Sequence, residues 1–84
     1  MLRAEIEKTL KEVIAENTMN AVSADDIKSG SNLSEDYGLD SIMVINLILE
    51  LEDRLGICFE DDDFENIDLF SFDEFLEKLV EKNG

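Results

Sequence analysis

Residues 38–56 read GLDSIMVINLILELEDRLG, and this stretch decides how the chain folds. A polar segment rich in turn formers precedes it, and apolar residues then recur at helical spacing. We expect a helix from about residue 41 to residue 55 that begins at Asp40 or Ser41. Gly56 is expected to end it, because glycine is the residue most often found just past a helix C-terminus. This places the Ser41 hydroxyl at a helix N-terminus.

The predicted helix has two apolar faces. The expected core face consists of Val44, Leu47, Ile48, Leu51 and Leu55. A second stripe, offset by roughly 120° on the 3.6-residue period, consists of Ile42, Ile45 and Leu49, with Glu52 and Asp53 on its flank. A helix that is apolar over more than half of its circumference is either central to a bundle or partly reserved for a partner. The sequence leaves both interpretations open.

The other segments are helical as well. Apolar residues recur three and four apart over residues 2–16, which predicts an amphipathic helix. Residues 17–40 show no sustained period and predict a long ordered loop, which its spaced apolar residues would pack onto the helices. A short helix is expected at about residues 62–67 and a last helix at about residues 72–82.

These elements predict an all-α fold. We expect a single domain over residues 1–84, built as a small bundle of three main helices plus one short helix. A long ordered loop joins the first two main helices. Ser71 and Glu74 match a capping box at the start of the last helix. Ile57-Cys58-Phe59 reads as a buried connector, with Cys58 as a small core residue.

The net charge of −15 restricts the possible partners. Nucleic acid and anionic membranes would repel such a chain, so its partners should carry basic patches. The charge is uneven, since residues 35–77 hold 15 acidic side chains against the single base Arg54. A merely solvated surface remains an alternative, but the acidic field surrounds the segment that starts just before Ser41.

The chain contains few of the side chains that commonly serve in catalysis or metal binding. It has no histidine, which removes the Ser-His-Asp triad, the Cys-His pair and the usual zinc ligands. One cysteine excludes an internal disulfide, and the N-terminus does not read as a signal peptide, so we expect a cytoplasmic protein. We expect no catalytic residue and no metal site, and interpret Ser41 as a point of attachment.

The whole chain resembles an acyl or peptidyl carrier protein. The signature of that family is Asp-Ser-Leu with a glycine two residues before the aspartate. Gly38, Asp40 and Ser41 match it, and Ile42 conservatively replaces the leucine. The start methionine and the tidy C-terminal cap suggest a free-standing carrier, although a domain cut from a longer protein would look the same, and a monomer is expected.

The resemblance implies a function for each site residue. A phosphopantetheinyl transferase, with its magnesium, would move the 4′-phosphopantetheine arm of coenzyme A onto Ser41. Asp40 would help to engage the transferase, or cap the helix, or both. The arm would carry an acyl or aminoacyl thioester to loading, synthase and transferase enzymes with basic patches. Partner contacts would come from Ile42, Ile45, Leu49, Glu52 and Asp53.

Two departures from the family bear on the pathway. Fatty-acid carriers usually place acids early in the second main helix, where this chain has Met43 and Asn46. The family's proline after the following loop is Glu60 here. These departures favour polyketide, nonribosomal-peptide or another dedicated biosynthesis over fatty-acid synthesis, and a carrier of the aminoacyl or D-alanyl type is an alternative.

Two rivals come from other classes of protein. A calcium-binding EF-hand fits the length and acidity, but a loop starting at Asp61 has Asn66 in place of the sixth-position glycine and Phe72 in place of the twelfth-position glutamate. An acidic adaptor without a covalent arm is the second rival.

Overall fold

The computed structural model describes residues 2–19, 21–65 and 67–83, and helices joined by turns and irregular segments make up this part of the chain. The helices in chain order are α1 (Arg3–Asn17), α2 (Leu33–Tyr37), α3 (Ser41–Leu55) and α4 (Phe72–Asn83). Single turns of 3₁₀ helix lie at Ala24–Asp26 and Asp61–Phe64. The described residues contain no strand. The predicted all-α bundle is therefore confirmed.

The three long helices end at the same end of the molecule. Arg54 of α3 lies 2.7 Å from the Glu16 carboxylate of α1, and the Asn83 side chain of α4 donates to the Leu55 carbonyl oxygen at 3.4 Å. Each connection must therefore run back along the bundle, which explains its length. Ser41 lies at the opposite end, about 20 Å away along a 15-residue helix.

The core is built from matching faces of the three long helices. All five residues of the predicted core face of α3 are buried, as are Ile6, Leu10, Val13 and Ile14 of α1 and Phe72, Phe75, Leu76 and Leu79 of α4. Three residues from the region between α1 and α3 join them: Ile27, Leu33 and Leu39. That region is therefore packed onto the helices, as its spaced apolar residues indicated.

The region predicted as a loop over residues 17–40 contains one helix, α2, that the prediction missed. Asn32 caps α2, because its side-chain oxygen accepts from the N–H groups of Ser34 and Glu35 at 2.9 and 2.8 Å. Gly38 ends α2 in the left-handed region at φ 71°. Five residues are less than two turns of helix, which is too short to show a hydrophobic period.

A short backbone bridge ties this region to the start of α4. The Leu33 N–H donates to the Phe70 carbonyl oxygen at 2.6 Å, and the Phe72 N–H donates to the Ser31 carbonyl oxygen at 3.1 Å. Gly30 adds an N–H bond to an Asp73 carboxylate oxygen at 3.0 Å. The end of the molecule that carries Ser41 is thereby joined to the N-terminus of α4.

The capping box predicted for α4 is half right. The Ser71 hydroxyl oxygen accepts from the Glu74 N–H at 3.3 Å. The Glu74 carboxylate, however, accepts from the Asp68 N–H at 3.4 Å and not from the Ser71 N–H. The Ser71 N–H instead donates to the Asp68 carbonyl oxygen at 3.0 Å, so that bond replaces the reciprocal one.

The connector between α3 and α4, residues 56–71, corrects two predictions. The short helix expected at 62–67 is the 3₁₀ turn Asp61–Phe64, and Asn66 lies outside the described residues. Cys58 is exposed and is not a core residue. The neighbouring Phe59 points inward instead, and its ring centroid lies 6.4 Å from that of Phe75.

Asp63 fixes the Asp61–Phe64 turn on α4. Its carboxylate lies 2.8 Å from Lys82 Nζ and 3.5 Å from Lys78 Nζ, and it accepts from the Glu60 N–H at 2.7 Å. The bond to Lys82, followed by the one from Glu60, lowers the pKa of Asp63. We refer to Asp63, Lys78 and Lys82 as the Asp63 clamp.

The clamp makes stability depend on pH in the acidic range. The folded chain binds the proton of the Asp63 carboxyl less tightly than the unfolded chain does. The stabilising contribution of Asp63 is therefore present above its ordinary pKa of 3.8 and is lost as the pH falls through the lower pKa of the folded state. The Asp63→Asn variant should therefore lose melting temperature less steeply than the unsubstituted chain below about pH 4. Circular-dichroism melts between pH 2.5 and 5, as the approximate range of this titration, check this, and an equal slope would contradict it.

Candidate functional site

Asp40 and Ser41 form the N-terminus of α3. An Asp40 carboxylate oxygen accepts from the Met43 N–H at 2.8 Å, so Asp40 is the N-cap. The Asp40 carbonyl oxygen accepts from the Val44 N–H at 3.0 Å, which is the first bond of the helix. Ser41 is the first helical residue and is exposed. Its hydroxyl is therefore accessible on a backbone that the cap holds in place.

The first turn of α3 suits an attached anion. It contains no acidic side chain, whereas the first turns of α1, α2 and α4 contain Glu5, Glu35 and Asp36, and Asp73 and Glu74. The first N–H groups of a helix have no intrahelical partner, and the helix dipole favours negative charge there. Although the chain contains 22 acidic residues, the only acidic side chain in the Asp40–Met43 segment that starts α3 is the capping Asp40. A phosphodiester on the Ser41 oxygen fits this position.

The second apolar stripe of α3 is on the surface. Ile42, Ile45 and Leu49 are 70, 56 and 58% exposed. The α3 residues from Ser41 to Leu49 include no charged side chain. The stripe is therefore not buried in the bundle, which was one of the two interpretations left open by the sequence. It forms an apolar surface that starts beside Ser41.

The two predicted acidic contacts have different environments. Asp53 is exposed and lies one turn beyond Leu49 on the same side of α3. Glu52 is half-buried, and its carboxylate accepts from the Phe59 N–H at 2.8 Å. Glu52 therefore anchors the connector to α3, a role that the sequence did not reveal.

An apolar groove lies between α3 and the connector. It has a volume of about 340 Å³ and is lined by Ile45, Ile48, Leu49, Glu52, Phe59, Phe64 and Leu69. An adjoining cavity of about 240 Å³ is lined by Ser41, Val44, Ile45, Leu69 and Phe70. Because the two share Ile45 and Leu69, a continuous apolar surface leads from Ser41 into the groove.

The groove was missed because its walls come from separate segments of the chain. Phe59, Phe64 and Leu69 are spaced irregularly in the connector and show no period. The available signal was their composition, since large apolar residues stand among acids in that segment. A larger depression of about 560 Å³ lies between α1 and the Ala24–Asp26 turn, its lining does not include Ser41, and charged side chains line most of it.

Most of the basic side chains are neutralised within the molecule. Within the described residues, five of the seven form ion pairs with acids: Arg3, Lys11, Arg54, Lys78 and Lys82. Arg54 bonds Glu16 and lowers the pKa of that carboxyl, whereas burial raises the pKa of nearby Glu50. The surface field is consequently negative. Within the described part of the chain, no cluster of potential metal ligands occurs and no helix is long and apolar enough to cross a membrane.

Comparison with known proteins identifies the class. Residues 3–69 match the family described as phosphopantetheine attachment site, and the chain belongs to this family of carrier domains. Membership implies a covalently bound 4′-phosphopantetheine, which the exposed serine and the acid-free first turn of α3 can accommodate.

Two similar curated proteins are described as acyl carrier proteins. The one from Chlorobium phaeovibrioides (strain DSM 265 / 1930) is 36% identical over 67 residues, which is 80% of this chain and 83% of the relative. The one from Nitratidesulfovibrio vulgaris (strain DP4) is 32% identical over 62 residues, which is 74% of this chain and 79% of the relative. No solved structure gives a significant match.

Proposed function

We propose that this chain carries acyl intermediates as thioesters on a 4′-phosphopantetheine arm attached to Ser41, and that it contributes no catalytic residue. The observation that carries the proposal is the position of Ser41. It is the exposed first residue of α3, it follows the N-cap Asp40, and it lies within the segment that matches the family.

The attachment chemistry belongs to a phosphopantetheinyl transferase. The Ser41 oxygen forms a bond to the phosphorus of the arm while the pyrophosphate bond of coenzyme A breaks, and the nucleotide part leaves with the proton that the hydroxyl gives up. The cap bond uses one carboxylate oxygen of the exposed Asp40, so the carboxylate stays beside Ser41 and can also face the magnesium ion of the transferase.

Incubation with coenzyme A and a broad-specificity transferase tests the proposal. The chain should gain about 340 Da, the mass of one arm, on the peptide that contains Ser41. Absence of the gain, or a gain on another peptide, would overturn the proposal.

The docking surface proposed for partner enzymes consists of Ile42, Ile45, Leu49 and Asp53. The three apolar side chains give a small contact next to the arm, and Asp53 with the surrounding acids attracts a basic patch. Small contacts with electrostatic steering give fast association and fast release, which a carrier with several partners requires. Glu52 contributes mainly through its bond to the connector.

Two isoleucines of α3 allow effects on docking and on folding to be tested separately. Ile42 is 70% exposed and Ile48 is 9% exposed. Ile42→Ala should raise the KM of the transferase for the carrier about fivefold, as for a typical contact residue worth about 1 kcal/mol. Ile48→Ala should instead lower stability by about 2–4 kcal/mol.

Steady-state kinetics and thermal melts of both variants measure these effects. A KM for Ile42→Ala equal to that of the unsubstituted chain would remove Ile42 from the docking surface. A collapse of its melting temperature would show that the stripe is core.

The apolar lining of the groove favours a hydrocarbon chain as the cargo. Its lining is apolar except for Glu52, and the adjoining cavity begins at the attachment serine. Each methylene group moved from water into such a site gains about 0.8 kcal/mol, whereas a polar aminoacyl group gains little. This favours acyl biosynthesis of the fatty-acid or polyketide type over an aminoacyl pathway.

A further inference from the structure

The Asp63 clamp is the least exposed group of ion pairs in the described residues. Its three side chains are 14, 14 and 21% exposed for Asp63, Lys78 and Lys82. The ion pairs that do not involve them join side chains that are at least 28% exposed. Water and salt therefore screen the clamp less than the other pairs.

The clamp acts on a segment that forms one wall of the groove. Phe64 directly follows Asp63, and its ring stacks on that of Phe59 with centroids 5.6 Å apart and planes 12° from parallel. Both rings line the groove opposite Ile45 and Leu49 of α3. The wall is thus tied to α3 through the bond from Phe59 to Glu52 and to α4 through the clamp.

We propose that Asp63 is a positioning residue of the carrier: through Lys78 and Lys82 it sets the place of the Asp61–Phe64 turn and thereby the width of the groove that holds the acyl chain. This inference rests on the proposed function, because it requires a cargo tethered at Ser41.

The contacts of the clamp suit this role better than apolar packing alone. Lys78 and Lys82 are four residues apart, so they project from the same side of α4 and bind both oxygens of one carboxylate. Such directional contacts fix one position of the turn, while the hydrophobic burial of the rings is by itself non-directional. Asp61 and Asp62 of the same turn are exposed and form no ion pair among the described residues, which makes them matched controls.

The rate at which a small reagent cleaves the thioester reports how open the groove is, and this readout requires no partner enzyme after loading. A broad-specificity transferase with octanoyl-coenzyme A or acetyl-coenzyme A loads the long or the short cargo, and hydroxylamine then cleaves the thioester. The octanoyl chain reaches into the groove, so its thioester should be cleaved more slowly than the acetyl thioester in the unsubstituted chain. Equal rates would overturn both the proposed cargo site and the role of the clamp.

Asp63→Asn keeps an acceptor for the Glu60 N–H and removes the charge. It should raise the cleavage rate of the octanoyl thioester about threefold, within the range of coupling between contacting charged groups, and leave the acetyl thioester unchanged. Asp62→Asn changes the net charge equally and should have no effect. Arg54→Gln breaks the ion pairs to Glu16 of α1 and Glu50 of α3, and none of these residues lines the groove, so it should not affect the octanoyl rate either.

A double-mutant cycle with Lys82→Met identifies the contact responsible. If the clamp acts as a unit, the double variant should match the single variants and not multiply their effects. Lys78→Met removes the longer pair and serves as a milder variant, with a smaller increase, where Asp63→Asn folds poorly. The inference is overturned if octanoyl protection persists in Asp63→Asn as in Asp62→Asn, or if Asp63→Asn exposes both cargoes alike.

Discussion

Replacing Ser41 with alanine should abolish attachment of the phosphopantetheine arm completely. In the proposed attachment the transferase acts on an exposed hydroxyl directly after the Asp40 cap, and alanine has no oxygen to accept the arm at this position. The effect is a loss of all detectable product and not a change in rate. Intact mass spectrometry after incubation with coenzyme A and a transferase measures it.

The same substitution should leave the fold intact. Ser41 is exposed and is not the capping residue, so Ser41→Ala should change stability by no more than about 0.5 kcal/mol. Ser34→Ala provides a matched control, since Ser34 is also an exposed serine in the first turn of a helix. It should gain the arm as the unsubstituted chain does. A modified Ser41→Ala chain, or an unmodified Ser34→Ala chain, would contradict the assignment.

Phe75→Ala should remove a large part of the free energy of unfolding of the domain. Phe75 is fully buried on α4 and its ring packs against that of Phe59. Truncating such a ring costs about 3–5 kcal/mol. A domain of this size has only about 4–13 kcal/mol in total, at 0.05–0.15 kcal/mol per residue. The loss should also open the groove, because Phe59 forms part of its wall.

Urea unfolding followed by circular dichroism measures this loss. Leu49→Ala is the matched control, since it also truncates a large apolar residue of a main helix but at a side chain that is 58% exposed. Its stability should change by no more than about 0.5 kcal/mol. Similar losses for the two variants would show that the exposed stripe is part of the core.

The parts of the fold that were predictable are those with a long hydrophobic period. The core face of α3 repeats over four turns, and the break at Gly38 and the stop at Gly56 bound it, so its buried residues could be identified directly. Both glycines adopt positive φ, which explains why glycine stands there. The N-terminal position of Ser41 followed from the same pattern.

The connector was less predictable because tertiary contacts decide its structure. Nothing local indicates that Phe59 turns inward and Cys58 outward, because the choice depends on the rings of Phe64 and Phe75. The bond from Glu52 to the Phe59 N–H is likewise non-local, so Glu52 looked like a free surface charge. The groove depends on these contacts and was not predicted.

The intact mass of the protein purified from the cells that naturally make it tests the central claim most directly. We predict a species about 340 Da heavier than the chain, or heavier still by an acyl group, with the added mass on the peptide that contains Ser41. A chain that is fully unmodified, or that carries the added mass on a peptide without Ser41, would contradict the claim.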